Sequence, residues 1–165
     1  MPGKTADELA IRELTAGFNH LGSRKRNSEL AATFVENGVF VARDKRFEGR
    51  SAIEACFDPQ QLGAPVNIGF GVTGRLGTTV HATTDNLIIV EGDEATQLSF
   101  MVVFRQVPRE VVSGGLVIAT ERFEDRLVRT DDGWLFDPRI MTVLQTNAAP
   151  DSSLQQVGVV ESPLE

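Results

Sequence analysis

The chain is poor in the residues that form disulfides, metal sites and phenolic hydrogen bonds. It contains one cysteine, two histidines, one tryptophan and no tyrosine. A single cysteine excludes an intramolecular disulfide and a multi-cysteine zinc site, and two histidines make a poor ligand set. We therefore expect Cys56 to be a small buried side chain. We also expect any chemistry to proceed with neither a metal nor an organic cofactor.

Positive charge is scarce as well. The 165 residues include 16 lysines and arginines against 23 aspartates and glutamates, which gives a formal net charge of −7. Binding to nucleic acid requires clustered cations, and the one basic run, Arg24-Lys25-Arg26, is short enough to be a solvated turn. The sequence shows neither an export segment nor an apolar run of about 20 residues. It predicts a cytoplasmic protein that binds neither nucleic acid nor membrane.

Length and composition indicate one globular domain, with 41% hydrophobic and 24% charged residues. Helix signals fill its first third, where capping-box spacings occur at residues 5–8 and 51–54. Between Ile11 and Leu21, apolar residues recur at steps of three and four, which gives a helix one apolar face. The predicted helices begin near residues 5, 27 or 28, and 51, and end near residues 23, 34 and 57, with a strand at residues 39–42.

From residue 79 onward the sequence alternates apolar and polar residues between tight turns, which is typical of strands. Residues 58–78 form a long connection suited to a rim or lid, and residues 146–165 a tail that is mobile, covers a pocket or reaches a partner subunit. We expect an α+β domain, helices first, folded around an internal pocket. The strands are predicted near residues 79–90, 94–107, 117–130 and 133–145, with hairpin turns at 91–93 and 131–133.

One motif points to a function that its surroundings exclude. Residues 69–74 match the glycine pattern of dinucleotide-binding proteins. That pattern requires a strand before it and a helix after it. Residues 75–80, Arg-Leu-Gly-Thr-Thr-Val, are too rich in glycine and β-branched residues for a helix, so we expect no nucleotide site.

The strand that begins at Thr79 carries the main candidate for chemistry, His81. Simple alternation would place Thr83, Asp85, Leu87 and Ile89 on the same face as His81. Four strand residues separate His81 from Asp85 by ~13 Å, so a partner for the imidazole has to come from another element. In the later strands, Phe123 shares a face with Asp125, and Arg139 shares one with Met141 and Val143.

The order of several short motifs resembles that of a known family. Over roughly residues 6–145 the chain is similar to SnoaL-like domains of the nuclear-transport-factor-2-like superfamily. In chain order, the motifs are the helical segment 11–34, Glu36-Asn37-Gly38-Val39-Phe40, Gly49-Arg50-Ser51-Ala52-Ile53, His81-x-x-x-Asp85, Gly92-Asp93-Glu94-Ala95, Phe123-x-Asp125 and Gly133-Trp134-x-Phe136-x-x-Arg139.

The resemblance implies a cystatin-like α+β fold, in which a cone-shaped, curved antiparallel sheet wraps over three N-terminal helices around a ligand cavity. It also implies a domain over residues 1–145, a homodimer, and a small hydrophobic molecule as the partner. Relatives include polyketide cyclases, scytalone dehydratase, hexachlorocyclohexane dehydrochlorinase and steroid isomerase, alongside members that only bind or scaffold. Their enzymes share proton transfer on a small, mostly apolar molecule.

The resemblance also implies roles for individual residues. His81 falls at the position of a base histidine, and Arg139 at that of a pocket arginine that can stabilise negative charge. Phe18 and Ser23 stand where active relatives often have a Tyr or Lys and an Asp that orients the histidine. Asp125 or Ser23 is therefore the predicted partner of His81. The side chains implied to bind substrate are Phe18, Phe40, Phe123, Asn37, Met101 and Met141.

Two functions stay open at this point. In the first, the protein is a lyase, isomerase or cyclase in which His81 moves a proton on a small hydrophobic carbonyl or hydroxyl compound. In the second, it is a binding or dimerisation module with a degenerate site, and a buried pair of Arg139 with Asp125 is a structural contact unavailable to His81. His20 is expected to be exposed or at the rim in either case.

Overall fold

The computed structural model describes residues 2–42, 44–58, 79–106 and 115–146. The glycine motif at 69–74, nearly all of the expected lid and the tail after residue 146 lie outside these residues. Three helices come first and four long strands follow, as predicted. The helices are α1 (Pro2–Ser23), α2 (Asn27–Ala31) and α3 (Arg50–Cys56), and the strands are β1 (Val39–Ala42), β2 (Lys45–Glu48), β3 (Thr79–Glu91), β4 (Glu94–Gln106), β5 (Gly115–Thr130) and β6 (Gly133–Thr146).

The strands form one six-stranded sheet in the order β2-β1-β6-β5-β4-β3. Strands β3 to β6 make an antiparallel meander, and β1 pairs with β6 in parallel. Gly92 and Gly133 adopt φ values of +65° and +106° in the two tight turns, which glycine does without steric cost. The predicted cystatin-like α+β fold is confirmed. The sheet also contains β2, which the sequence analysis missed because its residues are charged and mostly exposed.

Both predicted capping boxes are wrong. Helix α1 begins at Pro2, where proline is well tolerated in a first turn, so Thr5 already lies inside the helix. Helix α3 begins at Arg50 after Gly49, and no side chain caps its first turn. Helix α2 ends at Ala31, three residues before the predicted end, and the following turn leads to an isolated bridge between Phe34 and Phe136.

Five phenylalanine rings form the centre of the core, where α1 crosses the sheet near β1 and β6. The ring of Phe18 lies 6.0–6.1 Å, centroid to centroid, from each of the other four, mostly edge to face. Such aromatic pairs add to the free energy of burying apolar area. The other four rings belong to Phe34, Phe40, Phe57 and Phe136.

A β-bulge in β3 changes which of its side chains face the core. The register with β4 shifts between Thr84 and Leu87, and Asp85 adopts φ +51° there. After the bulge Ile88 is buried, whereas Leu87 is 60% exposed and Ile89 47%. The expectation that Asp85, Leu87 and Ile89 share the face of His81 is therefore wrong, because one extra residue in a strand inverts the alternation.

No helix within the described ranges is long and apolar enough to cross a membrane.

Candidate functional site

Helix α1 lies on β3 and β4 through a row of polar contacts. Its contributing residues are three or four positions apart, so they share one face of the helix. The helix residues of this row recur at a regular spacing in the sequence. The full set of strand residues that they contact could not be predicted without knowledge of the bulge in β3. The contacts are Arg12 with the Asn86 carbonyl at 3.2 Å, Thr15 with Gln97 at 3.0 Å, Asn19 with Thr83 at 2.6 Å and Ser23 with His81 at 2.9 Å.

The last contact of the row is the one with titratable chemistry. The hydroxyl of Ser23, the final residue of α1, lies 2.9 Å from Nδ1 of His81. A hydroxyl can either donate to Nδ1 or accept from it, so this contact suits both tautomers of the imidazole. His81 is partly buried and lies opposite the fully buried Val103 of β4. Of the two candidate partners for His81, the structure brings Ser23 to it.

Asp125, the other candidate, is bound elsewhere. Nη1 of Arg139 donates a hydrogen bond to Oδ2 of Asp125 at 2.8 Å, and both side chains are almost fully buried. Along β4, the residue opposite Asp125 is Gln97 and the residue opposite His81 is Val103. These positions are six residues apart, which is roughly 20 Å of strand. Asp125 therefore does not orient His81.

Aromatic rings enclose the guanidinium of Arg139. Its Cζ lies 4.4 Å from the ring centroid of Phe18, 4.1 Å from that of Phe123 and 4.4 Å from that of Phe136. These cation–π contacts partly replace the hydration that the cation lost. The family resemblance implied a pocket arginine here, whereas the structure shows the alternative that the sequence analysis left open, a buried pair of Arg139 with Asp125.

Burial dominates the electrostatics of this pair. It raises the pKa of Asp125 to about 6, although the attraction of Arg139 opposes that shift. Burial likewise lowers the pKa of Arg139, and the attractions of Asp125 and Glu121 oppose it. The carboxylate is thus less stable in the fold than in water, as expected when desolvation outweighs Coulomb attraction.

The residues predicted to bind substrate fall into two groups. Asn37 is exposed in the turn before β1, which the hydrogen bond from the Gly38 amide to the Val35 carbonyl closes. It does not face the interior, so the structure gives it no place in a substrate pocket. The other group is buried within the core cluster and consists of Phe18, Phe40, Phe123, Met101 and Met141.

The sequence analysis missed one buried carboxylate, that of Glu121 on β5. Glu121 is 3% exposed and lies opposite Met101 of β4. Its place on the inner face follows from the alternation that already connects Phe123 with Asp125, extended by one step.

Cys56, His20 and the basic turn 24–26 lie as expected. Cys56 is buried, which raises the pKa of its thiol to about 12, so it stays protonated at neutral pH. His20 is exposed, and so are all three residues of the basic turn. Among the residues that the structure describes, no three histidine, cysteine or acidic side chains are grouped to hold a metal ion.

The sequence of this chain also matches a known protein family. The family model of the SnoaL-like domain matches residues 3–140. The chain belongs to the SnoaL-like domain family. This confirms the resemblance inferred from the motifs. No curated protein matches the chain.

Several solved structures share the fold of this chain. A nuclear-transport-factor-2-like protein of cystatin-like fold from Novosphingobium aromaticivorans is 24% identical, with a TM-score of 0.66 over 87% of this chain and 86% of its own. A second protein from that organism, provisionally assigned as a scytalone dehydratase, is 21% identical, with a TM-score of 0.67 over 98% and 100%. A Catenulispora acidiphila protein in complex with S-DNPA is 22% identical, with a TM-score of 0.64 over 87% and 95%.

Single and double substitutions of the buried pair Arg139 and Asp125 should change the free energy of unfolding by unequal amounts. Arg139→Met leaves a carboxylate in the core without its cation, so we expect a loss of about 3–5 kcal/mol in the free energy of unfolding at pH 7. The loss should become smaller as the pH falls towards 4. Without Arg139, the pKa of Asp125 in the folded state is raised further, so the folded protein binds a proton at Asp125 at a pH at which the unfolded chain does not. Urea unfolding at several pH values measures both effects.

Two further variants serve as controls for that prediction. Asp125→Leu combined with Arg139→Met removes both charges and should recover most of the lost stability. Arg126→Met breaks an exposed pair with Glu94 of similar length, 2.9 Å, and should cost less than about 1 kcal/mol. A double variant as unstable as Arg139→Met would show that the lost stability does not come from the unpaired charge.

Proposed function

We propose that this SnoaL-like domain is a cofactor-independent proton-transfer enzyme in which His81 is the acid–base residue. The contact between Nδ1 of His81 and the Ser23 hydroxyl is the observation that carries the proposal. It fixes one ring nitrogen against α1 and so orients the imidazole that we propose exchanges a proton with the substrate. The reaction would be that of a lyase, isomerase or cyclase.

The end of α1 supports this role electrostatically. Ser23 is the last residue of a 22-residue helix, so the negative end of the helix macrodipole lies beside His81. That end stabilises a protonated imidazole by roughly 0.3–1 kcal/mol. It therefore supplies part of the stabilisation that an aspartate at position 23 would give.

The surroundings of His81 support a small hydrophobic substrate. The neighbouring inner-face positions in its row of the sheet are Val103 and Ala119, both buried. A substrate carbon next to a carbonyl or hydroxyl group would pack on this apolar floor with its C–H bond near the imidazole. The related structure in complex with S-DNPA supports binding of a small molecule by this fold.

His81→Ala should remove the activity. Wild-type protein is expected to catalyse exchange of the α-protons of 2-tetralone, a small apolar ketone, in deuterium oxide, followed by proton NMR. Loss of a general base should slow the exchange about 10²–10⁴-fold. His20→Ala removes the only other histidine, which is exposed, and should exchange at the wild-type rate. Equal rates in wild type and His81→Ala would contradict the proposed mechanism.

Substitutions at Ser23 should change the titration of His81. Ser23→Asp places a carboxylate beside Nδ1, and an opposite charge at that distance should raise the titration midpoint of the imidazole by at least about one pH unit. Ser23→Ala removes the hydrogen bond without adding charge and should move the midpoint much less. The imidazole proton shifts in NMR, recorded against pH, measure both. A midpoint that does not move in Ser23→Asp would show that the two side chains are apart in solution.

A binding module without catalysis is the second candidate. The ring of Phe18 favours it, because it stands where active relatives have a polar side chain and packs among four other rings. In this case His81→Ala would bind the ketone with altered affinity, and neither protein would catalyse exchange.

We also propose that the protein forms a homodimer through the outer face of its sheet, and that it is cytoplasmic. Large apolar side chains, 38–60% exposed, lie on that face. A water-exposed apolar set of this kind on one sheet face is typical of an interface. This outer apolar patch consists of Val80, Leu87, Ile89, Val117 and Leu144.

Charges placed on the outer apolar patch should dissociate the dimer. Leu87→Glu combined with Ile89→Glu would bury two carboxylates in the interface, so we expect a monomer in sedimentation equilibrium where the wild type is a dimer. Leu9→Glu changes an equally exposed leucine on α1, outside the patch, and should remain a dimer. A monomeric wild type would contradict the proposal.

A further inference from the structure

Asn19 of α1 makes the contact next to that of Ser23 in the polar row along the helix. Nδ2 of Asn19 donates a hydrogen bond to Oγ1 of Thr83 at 2.6 Å. Asn19 lies four residues before Ser23 on the helix, and Thr83 lies two residues after His81 on β3. Four helix residues rise about 6 Å, and two strand residues rise about 6.6 Å. The two contacts therefore match in spacing, so a displacement of the helix end that breaks one also strains the other.

The side chain of Asn19 is not the one that stability alone would favour. It is 7% exposed, and its Oδ1 has no hydrogen-bond partner among the residues that the structure describes. Burial of an unsatisfied polar atom is unfavourable, and an apolar side chain of similar size would avoid it. Residues that break such a local rule concentrate at functional sites. The buried amide of Asn19 therefore indicates a role other than stability.

The helix around Asn19 depends on contacts to its neighbours. Gly17 and Gly22 lie within α1 on either side of Asn19, and glycine disfavours a helix relative to alanine. A Cβ atom at position 17 would have open space around it, so packing does not require glycine there. A helical segment of this composition takes its position mainly from tertiary contacts. The hydrogen bond from Asn19 to Thr83 is such a contact.

We propose that Asn19 is a positioning residue for the proposed reaction. Through Thr83 it holds the last turn of α1 on β3, and thereby keeps the Ser23 hydroxyl at Nδ1 of His81. The proposal rests on the proposed function, but it assigns Asn19 no contact with the substrate. If the last turn moves away, the imidazole loses its hydrogen bond to α1 and the nearby negative end of the helix.

The titration of His81 measures this positioning. In Ser23→Asp, the carboxylate beside Nδ1 raises the titration midpoint of the imidazole. Addition of Asn19→Leu should reduce that rise by about half or more, because a doubled separation halves the Coulomb attraction. Glu121 on β5 and the basic turn 24–26 after α1 are the same in every variant. Their effects on His81 therefore cancel when the rise is compared between backgrounds.

Stability separates positioning from a merely structural role. Asn19→Leu removes a buried unsatisfied oxygen, and the Thr83 hydroxyl that loses its partner is partly exposed and can bond to water. The urea midpoint of this variant should therefore equal or exceed that of the wild type. Its rate in the 2-tetralone exchange assay should fall about 10–10²-fold, because a displaced imidazole is poorly aligned with the substrate.

Thr15→Val is the matched control, one helical turn before Asn19. It leaves the buried Oε1 of Gln97 without the hydrogen bond from Thr15 and should lower the urea midpoint. Because this contact is two turns from Ser23, the rise that Ser23→Asp causes should be unchanged in the Thr15→Val background. The two variants thus have opposite effects on stability and on the contact at His81.

Substitutions of Thr83 test the same hydrogen bond from the strand. Thr83→Val keeps the shape of the side chain without its hydroxyl and should give the same reduced rise, whereas Thr83→Ser keeps the hydroxyl and should give the full rise. Asn19→Leu combined with Thr83→Val should reduce the rise no more than either change alone, because both act through one bond. If Asn19→Leu does not fold, the comparison of Thr83→Val with Thr83→Ser decides.

The outcomes separate this inference from the proposed function. A full rise in the Asn19→Leu background, with His81→Ala inactive, would overturn the role of Asn19 and leave His81 as the base. A reduced rise with a wild-type exchange rate would overturn it too, and so would an equal reduction in Thr15→Val. Exchange by the wild type no faster than in buffer would contradict the proposed function, and the titration alone would then decide whether Asn19 positions Ser23.

Discussion

The buried arginine on β6 constrains the whole interior of this protein. Arg139 has no exposed surface, so the fold has to supply both a counter-charge and a substitute for water. Asp125 gives the first at 2.8 Å, and three phenylalanine rings give the second. The counter-charge and the aromatic rings fill the interior near β1 and β6 with side chains. His81 lies on another part of the inner face, because the positions opposite His81 and Asp125 on β4 are roughly 20 Å apart along the strand.

Helix α1 is held by polar contacts to β3 and β4. Its apolar side, with Phe18, packs among the rings around Arg139, while the side facing β3 and β4 carries Thr15, Asn19 and Ser23. Hydrogen bonds depend on direction more than apolar contacts do, so they fix the rotation and the end point of the helix. The position of Ser23 beside His81 is a consequence of that fit.

The sequence predicted the strands well because local physics determines them. Alternation and the glycines at positions 92 and 133 specify two hairpins and their turns. It failed where a tertiary contact decides. The charged β2 forms only because β1 offers an edge, and the bulge at Asp85 inverts the faces of β3 in a way that alternation cannot show. For the site, the strand pattern singled out His81 and the family resemblance added Ser23, whereas the isolation of Asp125 from His81 depends on register.

Serine at position 23, where the family resemblance implies an aspartate in active relatives, changes what His81 can do. A carboxylate would hold the proton on Nδ1 and favour a strong base at Nε2. A hydroxyl accepts either tautomer, so the ring can begin a reaction as an acid or as a base. The end of α1 still favours the protonated ring, although less strongly than a carboxylate would. In the proposed reaction, such a histidine suits steps in which protons leave and return at similar cost.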